Sequence, residues 1–247
     1  MKWNAALYDA KHDFVAAYGR GLLEWIPRNP AQTILDVGCG TGTLTARLLP
    51  LGSRVVGVDS SPDMIARARA QFPNIAFFVC DALRLPFEGE WDVAFSNAVF
   101  HWIDDHDALL ASIRRALKPG GLLVCEFGAS GNIAAIDGAF RQACRRLGYD
   151  PAPRFHFPTP EAFGQSLRQN GFCAVSVCAY DRPTPLKDGA SGLSSWMRQF
   201  FAAELAAMPA DAQAAVLRAA EDAARDRLWN GETWVADYRR LRAIAHT

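Results

Sequence analysis

Residues 34–43 read ILDVGCGTGT: an apolar run reaches Asp36 and Val37, and glycine then takes alternate positions at Gly38, Gly40 and Gly42. This stretch constrains the fold more than any other. Glycine lets the backbone turn sharply and lets another group approach without meeting a Cβ atom. The pattern that follows, "TLTARLLPLG", is helical. A buried strand, a glycine loop and a helix make the opening unit of a parallel α/β sheet. Ligands of such sheets bind beyond the carboxyl ends of the strands, where the strand order reverses. The helix adds unpaired N–H groups and positive partial charge.

The rest of the chain repeats the alternation, which predicts parallel βαβ units. Strands are expected at 33–38, 54–59, 75–82, 92–99 and 122–128. Ser61 and Pro62 predict a capped helix start, with Met64, Ile65, Ala68 and Phe72 on its buried face. Asp104, Asp105 and Asp107 favour another start, followed by a stripe of Leu109, Leu110, Ile113 and Leu117. "KPGG" (118–121) is expected to end that helix. Further helices fall near 132–147 and 160–169, with strands at 172–180 and 237–245. Between about 191 and 229 lie two Ala-rich helices split by Pro209, expected as an insertion that covers the site.

The expectation is therefore an α/β fold: a doubly wound, seven-stranded, mostly parallel Rossmann-like sheet with a helical insertion near the C-terminus. It is read as one domain over 1–247, with an N-terminal helical cover (1–30), a cofactor-binding core (31–130) and the remaining sheet (131–247).

Composition excludes some classes. Lys plus Arg and Asp plus Glu both total 26, so the formal charge is zero. A general nucleic-acid or anionic-membrane binder would carry a basic surplus. No apolar run approaches the roughly 20 residues that span a bilayer, and the first residues lack a secretory stretch. A cytoplasmic protein is expected, monomeric or homodimeric, with a small-molecule substrate and neither nucleic acid nor membrane as partner. The six cysteines form no CxxC pair and no zinc spacing, so no metal is expected. They read as small buried hydrophobes, with Cys80, Cys125 and Cys178 in apolar strand-like runs.

Asp59 ends the second strand, 21 positions after Gly38, where a carboxylate can accept both hydroxyls of a ribose. Asp81 and Ala82 follow the third strand and can meet an adenine edge; Met64 is placed to cover its face. NAD and S-adenosylmethionine both carry these groups. The dinucleotide fingerprint is GxGxxG, whereas the spacing here is GxGxG and Thr43 takes the third glycine's slot.

Together "LDVGCGTG", "VVGVDSS", "CDA", "FSNAVFHW" and "LKPGG" resemble class I S-adenosylmethionine-dependent methyltransferases over residues 30–128. Residues 96–121 are similar to the small-molecule group containing trans-aconitate 2-methyltransferase and the malonyl-carrier-protein methyltransferases. The resemblance implies S-adenosyl-L-methionine as cofactor. It implies that Gly38 and Gly40 hold the methionine moiety, that Asp36 supports the loop, that Asp59 takes the ribose with Ser60 beside it, and that Asp81 and Ala82 take the adenine. Asn97 then faces the methionine end and the acceptor.

Methyl transfer from a sulfonium is an in-line displacement that depends on alignment and exclusion of water. A carboxylate acceptor is ionised at neutral pH and needs no base, whereas a hydroxyl or amine usually does. A carboxylate acceptor, giving a methyl ester, is the favoured expectation; O- or C-methylation of a natural product or lipid, or a non-catalytic S-adenosylmethionine-binding regulator, are the alternatives. His101 stands at the mouth of the site as a base, an acceptor-orienting group or a packed ring, with Trp102 as a wall. Tyr8 is a further catalytic candidate on the N-terminal helix. Arg154, His156, Arg182, Arg198 and Arg239 are candidates for anion recognition.

Overall fold

The computed structural model describes residues 21–247. A seven-stranded sheet runs in the order β3-β2-β1-β4-β5-β7-β6. Its strands are β1 (Thr33–Val37), β2 (Arg54–Asp59), β3 (Ala76–Val79), β4 (Trp91–Asn97), β5 (Leu117–Gly128), β6 (Cys173–Pro185) and β7 (Val235–His246). β1 pairs in parallel with β2 and β4, β2 with β3, and β4 with β5. The order reverses between β1 and β4, so the loops after these two strands share the switch point.

Eight helices connect the strands among the described residues: α1 (Thr43–Leu48), α2 (Pro62–Gln71), α3 (His106–Ala116), α4 (Ala134–Arg146), α5 (Pro160–Gln169), α6 (Gly192–Phe200), α7 (Ala202–Ala206) and α8 (Ala210–Leu228). The expected starts hold for the expected reasons. The Ser61 hydroxyl accepts from Met64 N–H at 3.4 Å, Asp105 accepts from Ala108 N–H at 2.9 Å, and Thr159 accepts from Ala162 N–H at 3.2 Å.

Chain contacts divide the described residues between two compact units. The first includes 21–129, 155–179 and 241–247. Its sheet is covered on both sides. Leu35, Val37, Val56 and Val58 pack with Leu109, Leu110 and Ile113 of α3 and with Phe163 and Leu167 of α5. Ile34, Val55, Val93 and Phe95 pack with Leu44 and Leu48 of α1 and with Leu22 and Ile26. Neighbouring residues Ile34 and Leu35 thus serve opposite cores, as expected of a strand buried on both faces. Each such side chain contributes roughly 1.5–3 kcal/mol.

The second unit comprises 130–154 and 180–240. In it Phe140 of α4 stacks on Phe201 with ring centroids 4.3 Å apart, and Val216, Leu217, Ala220 and Ala224 of α8 are buried. Leu186 N–H donates to Trp234 C=O at 2.8 Å, and Arg239 pairs with Asp181 at 2.7 Å. From the first contact to the second, the numbering falls along β6 and rises along β7, so the two strands are antiparallel here.

Three expectations need correction. The KPGG stretch does not separate helix from strand. α3 ends at Ala116 and the chain is extended from Leu117. Trp91 pairs with Leu117 and Val93 with Leu122, so residues 118–121 form an irregularity within the ladder. The Lys118 ammonium fastens it to Asp92 at 2.8 Å. Leu117 is consequently buried from the strand and not from the helix stripe. Cys178 and Cys173 are exposed and Cys80 is half-buried; Cys39, Cys125 and Cys144 are buried as expected. β6 is the edge strand, and its Val175, Val177 and Ala179 face the core, which turns Cys178 outward.

Candidate active site

The three glycines of the first loop have different physical reasons. Gly38 has φ +77°, and a Cβ there would lie 2.2 Å from Val99 Cγ2 on the loop after β4. Gly42 would place a Cβ 2.7 Å from the Phe77 ring of β3. Gly40, at φ +55°, would meet nothing within 4 Å among the described residues. Gly38 and Gly42 therefore pack the loop against the protein, whereas Gly40 leaves open space above a backbone that a ligand can approach. The loop is tied down from β2. Val58 C=O accepts from the N–H groups of both Gly38 (2.8 Å) and Cys39 (2.9 Å).

Asp59 completes that tie. Its two oxygens accept from Gly40 N–H at 3.0 Å and Ser61 N–H at 2.8 Å. An ionised carboxylate offers about four acceptor positions, so two remain for a hydroxyl pair. Burial raises the Asp59 pKa, and its two backbone hydrogen bonds counter the rise. Ser60 is exposed beside it, and Met64, in the first turn of α2, is 4% exposed. Cys80 N–H donates to Asp59 C=O at 2.9 Å, which brings the ends of β2 and β3 together. Asp81 is exposed and accepts from Leu83 N–H at 3.0 Å; Ala82 is half-buried next to it.

Asp36 sits inside the protein at 2% exposure, where its carboxyl accepts from the Thr45 hydroxyl at 2.7 Å. It braces the first turn of α1 from below the glycine loop. Burial pushes its pKa up to about 7, against the Thr45 hydrogen bond, with a smaller push from the Asp59 charge.

The loop after β4 supplies the other half of the switch point. Asn97 ends the strand and is half-buried. Ala98 turns the chain at φ +61°, an uncommon angle for a residue with a Cβ, and its N–H donates to Glu126 C=O at 2.7 Å. His101 follows in a short helical turn at 7% exposure. Trp102, Phe155 and Phe157 surround its ring, with centroids 5.4, 6.1 and 5.9 Å away. Gly128 N–H donates to His101 Nδ1 at 3.2 Å. A neutral imidazole that accepts at Nδ1 carries its proton on Nε2. The ring is therefore set as a donor at Nε2, and that nitrogen has no lone pair for proton abstraction.

The structure thus brings Asp36, Gly38, Gly40, Asp59, Ser60, Asp81, Ala82, Asn97 and His101 onto the carboxyl edge of β1–β4 or the loops and turns that follow, with Met64 in the first turn of α2. Tyr8 and most of the 1–30 cover lie outside the described residues. The anion candidates scatter. Arg154 pairs with Glu204 at 3.0 Å, and Arg239 pairs with Asp181. Arg198 is exposed, and the His156 ring meets His106 at 4.4 Å. Sequence reasoning missed Gly57, where a Cβ would lie 2.6 Å from Phe77 and 2.9 Å from the Cys39 Cβ; a glycine within a strand was the available signal. It also missed Glu126, 2% exposed and paired with Arg242 at 2.6 Å. A lone acid in the apolar run "LLVCEFG" marked it. Among the described residues no cluster could hold a metal ion, and no helix is long and apolar enough to cross a membrane.

Comparison with known proteins points to one family. A family described as a methyltransferase domain matches residues 34–121. An uncharacterized methyltransferase of Schizosaccharomyces pombe is 30% identical over 99% of this chain and 97% of its own length. Trans-aconitate 2-methyltransferase of Deinococcus radiodurans is 33% identical over 80% of each chain. The crystal structure of the YcgJ protein of Bacillus subtilis has a similar fold, with a TM-score of 0.67 and 17% identity over 94% of this chain and 98% of that one.

Proposed function

We propose a carboxylate as the methyl acceptor of this chain, which belongs to the class I S-adenosylmethionine-dependent methyltransferases. Its cofactor is S-adenosyl-L-methionine. When bound, that cofactor supplies an electrophilic methyl group on a sulfonium sulfur. The described residues fit it. The space above Gly40 admits a ligand backbone, and Asp59 keeps acceptor positions for the ribose hydroxyls. Asp81 and Ala82 would meet the adenine edge and Met64 its face. Asp36 would hold the glycine loop in shape for the methionine moiety, and Asn97 would face the acceptor.

The hydrogen bond from Gly128 to His101 Nδ1 carries the choice of acceptor. A hydroxyl or amine needs a base, and His101, the obvious one, is set as a donor. A carboxylate needs alignment and a hydrogen-bond donor, not a base. The resemblance to trans-aconitate 2-methyltransferase points the same way. The role of His101 in this reading is to orient the acceptor. We place the reaction in the cytoplasm, on a small molecule.

The test is a panel of carboxylic acids, alcohols and amines with methyl-labelled cofactor. A base-labile labelled product from a carboxylic acid is expected. Label found only in ethers, amines or carbon-bound methyl groups would overturn the reading.

A further inference from the structure

Nothing in a histidine side chain fixes the plane of its ring. The Cβ–Cγ torsion is broad and nearly two-fold, and a half turn exchanges Nδ1 with Cδ2 and Nε2 with Cε1. His101 can keep its Nε2–H aimed at an acceptor only if its surroundings forbid that turn. Gly128 N–H grips one ring atom. Further restraint comes from residues 155–157, Phe-His-Phe. The His156 N–H donates to the His101 C=O at 3.0 Å, which fastens this segment to the turn that carries the ring. Phe155 and Phe157 stack on each other, with centroids 5.4 Å apart and planes 13° from parallel. The His156 ring between them in sequence meets His106 instead, edge-on at 4.4 Å. Alternate residues of an extended segment face opposite sides, so the two phenylalanines present one surface.

That surface lies against His101. The Phe155, Phe157 and Trp102 planes are inclined to the imidazole by 56°, 44° and 44°. Rings set at such angles obstruct the swing of a flat ring about its Cβ–Cγ bond. The supports of the clamp are themselves fixed. The His106 Nε2 lies 3.0 Å from the Phe100 C=O, which only accepts, so His106 donates there. Two successive carbonyls of the turn are thus held, Phe100 from α3 and His101 from the 155–157 segment. Past that segment, Thr159 caps α5 and Phe163, 1% exposed, packs on Phe127 at 4.9 Å. All of these residues belong to the first unit.

We propose that Phe155 and Phe157 are positioning residues for methyl transfer: they clamp the His101 imidazole so that its Nε2–H stays directed at the acceptor carboxylate. The inference rests on the reading above of His101 as the group that orients the acceptor. Each phenylalanine acts through the imidazole and not on the reacting atoms. A ring released from the clamp offers the acceptor Cε1–H in place of Nε2–H for part of the time. Misplacement of about 1 Å at a reacting group can cost about 100-fold in rate.

The test uses the full chain with isotope-labelled histidine nitrogens. Long-range nitrogen–proton NMR spectra show which ring nitrogen carries the proton, and His101→Ala assigns the His101 signals by their loss. Ester formation from trans-aconitate gives kcat and KM, and calorimetry with S-adenosylhomocysteine gives cofactor affinity. The wild-type ring is expected as one tautomer, protonated at Nε2. Phe155→Leu and Phe157→Leu should mix the tautomers and lower kcat at least about tenfold, with cofactor Kd within about twofold. Phe155→Tyr and Phe157→Tyr keep the ring and should retain the single tautomer and the rate. Phe87→Leu is the control for lost packing: its ring meets Trp91 at 5.2 Å, elsewhere in the same unit, and its removal should leave tautomer and kcat unchanged. Leu variants with one tautomer and wild-type kcat, beside an inactive His101→Ala, overturn the clamp and leave the role of His101. Mixed tautomers in the Leu variants, beside a His101→Ala that esterifies like the wild type, overturn the role of His101 and with it the clamp's part in the reaction. If the wild type makes no ester from trans-aconitate, the spectra decide. A wild-type ring already mixed, or one unchanged in both Leu variants, overturns the clamp; a single tautomer lost in the Leu variants upholds it.

Discussion

Gly38 and Gly40 are two residues apart in the same loop, yet alanine should damage them in different ways. At Gly38 the backbone angle of +77° costs a residue with a Cβ roughly 1–2 kcal/mol. The added Cβ would also lie 2.2, 2.7 and 2.9 Å from Cγ2, Cγ1 and Cβ of Val99. All three atoms belong to one β-branched side chain with little freedom at χ1, so the backbone must move. Such overpacking adds about 1–3 kcal/mol. The sum, about 2–5 kcal/mol, is a large share of the roughly 5–15 kcal/mol that holds a domain folded. In a chain of this size it lowers Tm by roughly 5–20 °C. At Gly40 the backbone term alone is counted, because a Cβ would meet nothing within 4 Å among the described residues. Gly40→Ala should lose about 1 kcal/mol and roughly 2–4 °C. It should nonetheless weaken cofactor binding at least about tenfold, since the methyl enters the space assigned to the cofactor; that factor corresponds to about 1.4 kcal/mol. Thermal melting of the free chain and calorimetric titration with S-adenosylhomocysteine separate the two effects. Adding Val99→Ala to Gly38→Ala should recover part of the overpacking loss but none of the backbone term. A Gly40→Ala chain that binds cofactor like the wild type would show that the open space is not the cofactor's, and the site as drawn would be wrong.

Asp59→Ala removes the acceptor for two backbone N–H groups as well as for the ribose, so cofactor Kd should rise by about 10- to 100-fold by titration calorimetry; unchanged affinity would move the ribose elsewhere. His101→Ala should lower kcat and leave cofactor Kd nearly constant. Because the ring is set as a donor, the acidic limb of the pH–rate profile should keep its shape in the variant, and a limb that vanishes with His101 would restore it as a base. Asp36 gives a pH signature. Its folded pKa of about 7 exceeds the unfolded value of 3.8, so the native chain holds a proton that the unfolded chain loses. This group's effect on stability is absent below about pH 4 and grows as a penalty until about pH 7, at most on the order of 4 kcal/mol. Asp36→Asn should flatten that part of the Tm–pH curve; parallel curves for variant and wild type would refute the assignment.

The first unit was legible because its determinants are local. Ile34 and Leu35 announce a doubly buried strand, and Ser61-Pro62 and Asp105 announce helix starts with their own side chains. The loop glycines follow immediately from the strand that feeds them. The reason for each glycine was not legible, because it lies with residues far along the chain: Val99 for Gly38 and Phe77 for Gly42. The bulge at KPGG was missed for a related reason. Its residues carry a turn's composition, and only the pairing of Trp91 with Leu117 shows that the chain is already extended there. The hydrogen bond from Gly128 to His101 likewise joins residues 27 positions apart, and no local pattern states which ring nitrogen accepts it.

The stretch 239–242, RRLR, shows why the role of a charged side chain resists a linear reading. As a sequence it is a small cluster of charge. On a strand its residues alternate, and each meets a partner fixed by a different neighbour. Arg239 goes to Asp181 of β6, and Arg240 lies over Tyr238 two residues earlier on β7. Leu241 enters the core, and Arg242 goes to Glu126 of β5 and the Trp25 ring. Shifting the register of β7 by one residue would exchange every one of these roles. The register is therefore what separates the surface ion pair of Arg239 from the buried, ring-stacked guanidinium of Arg240.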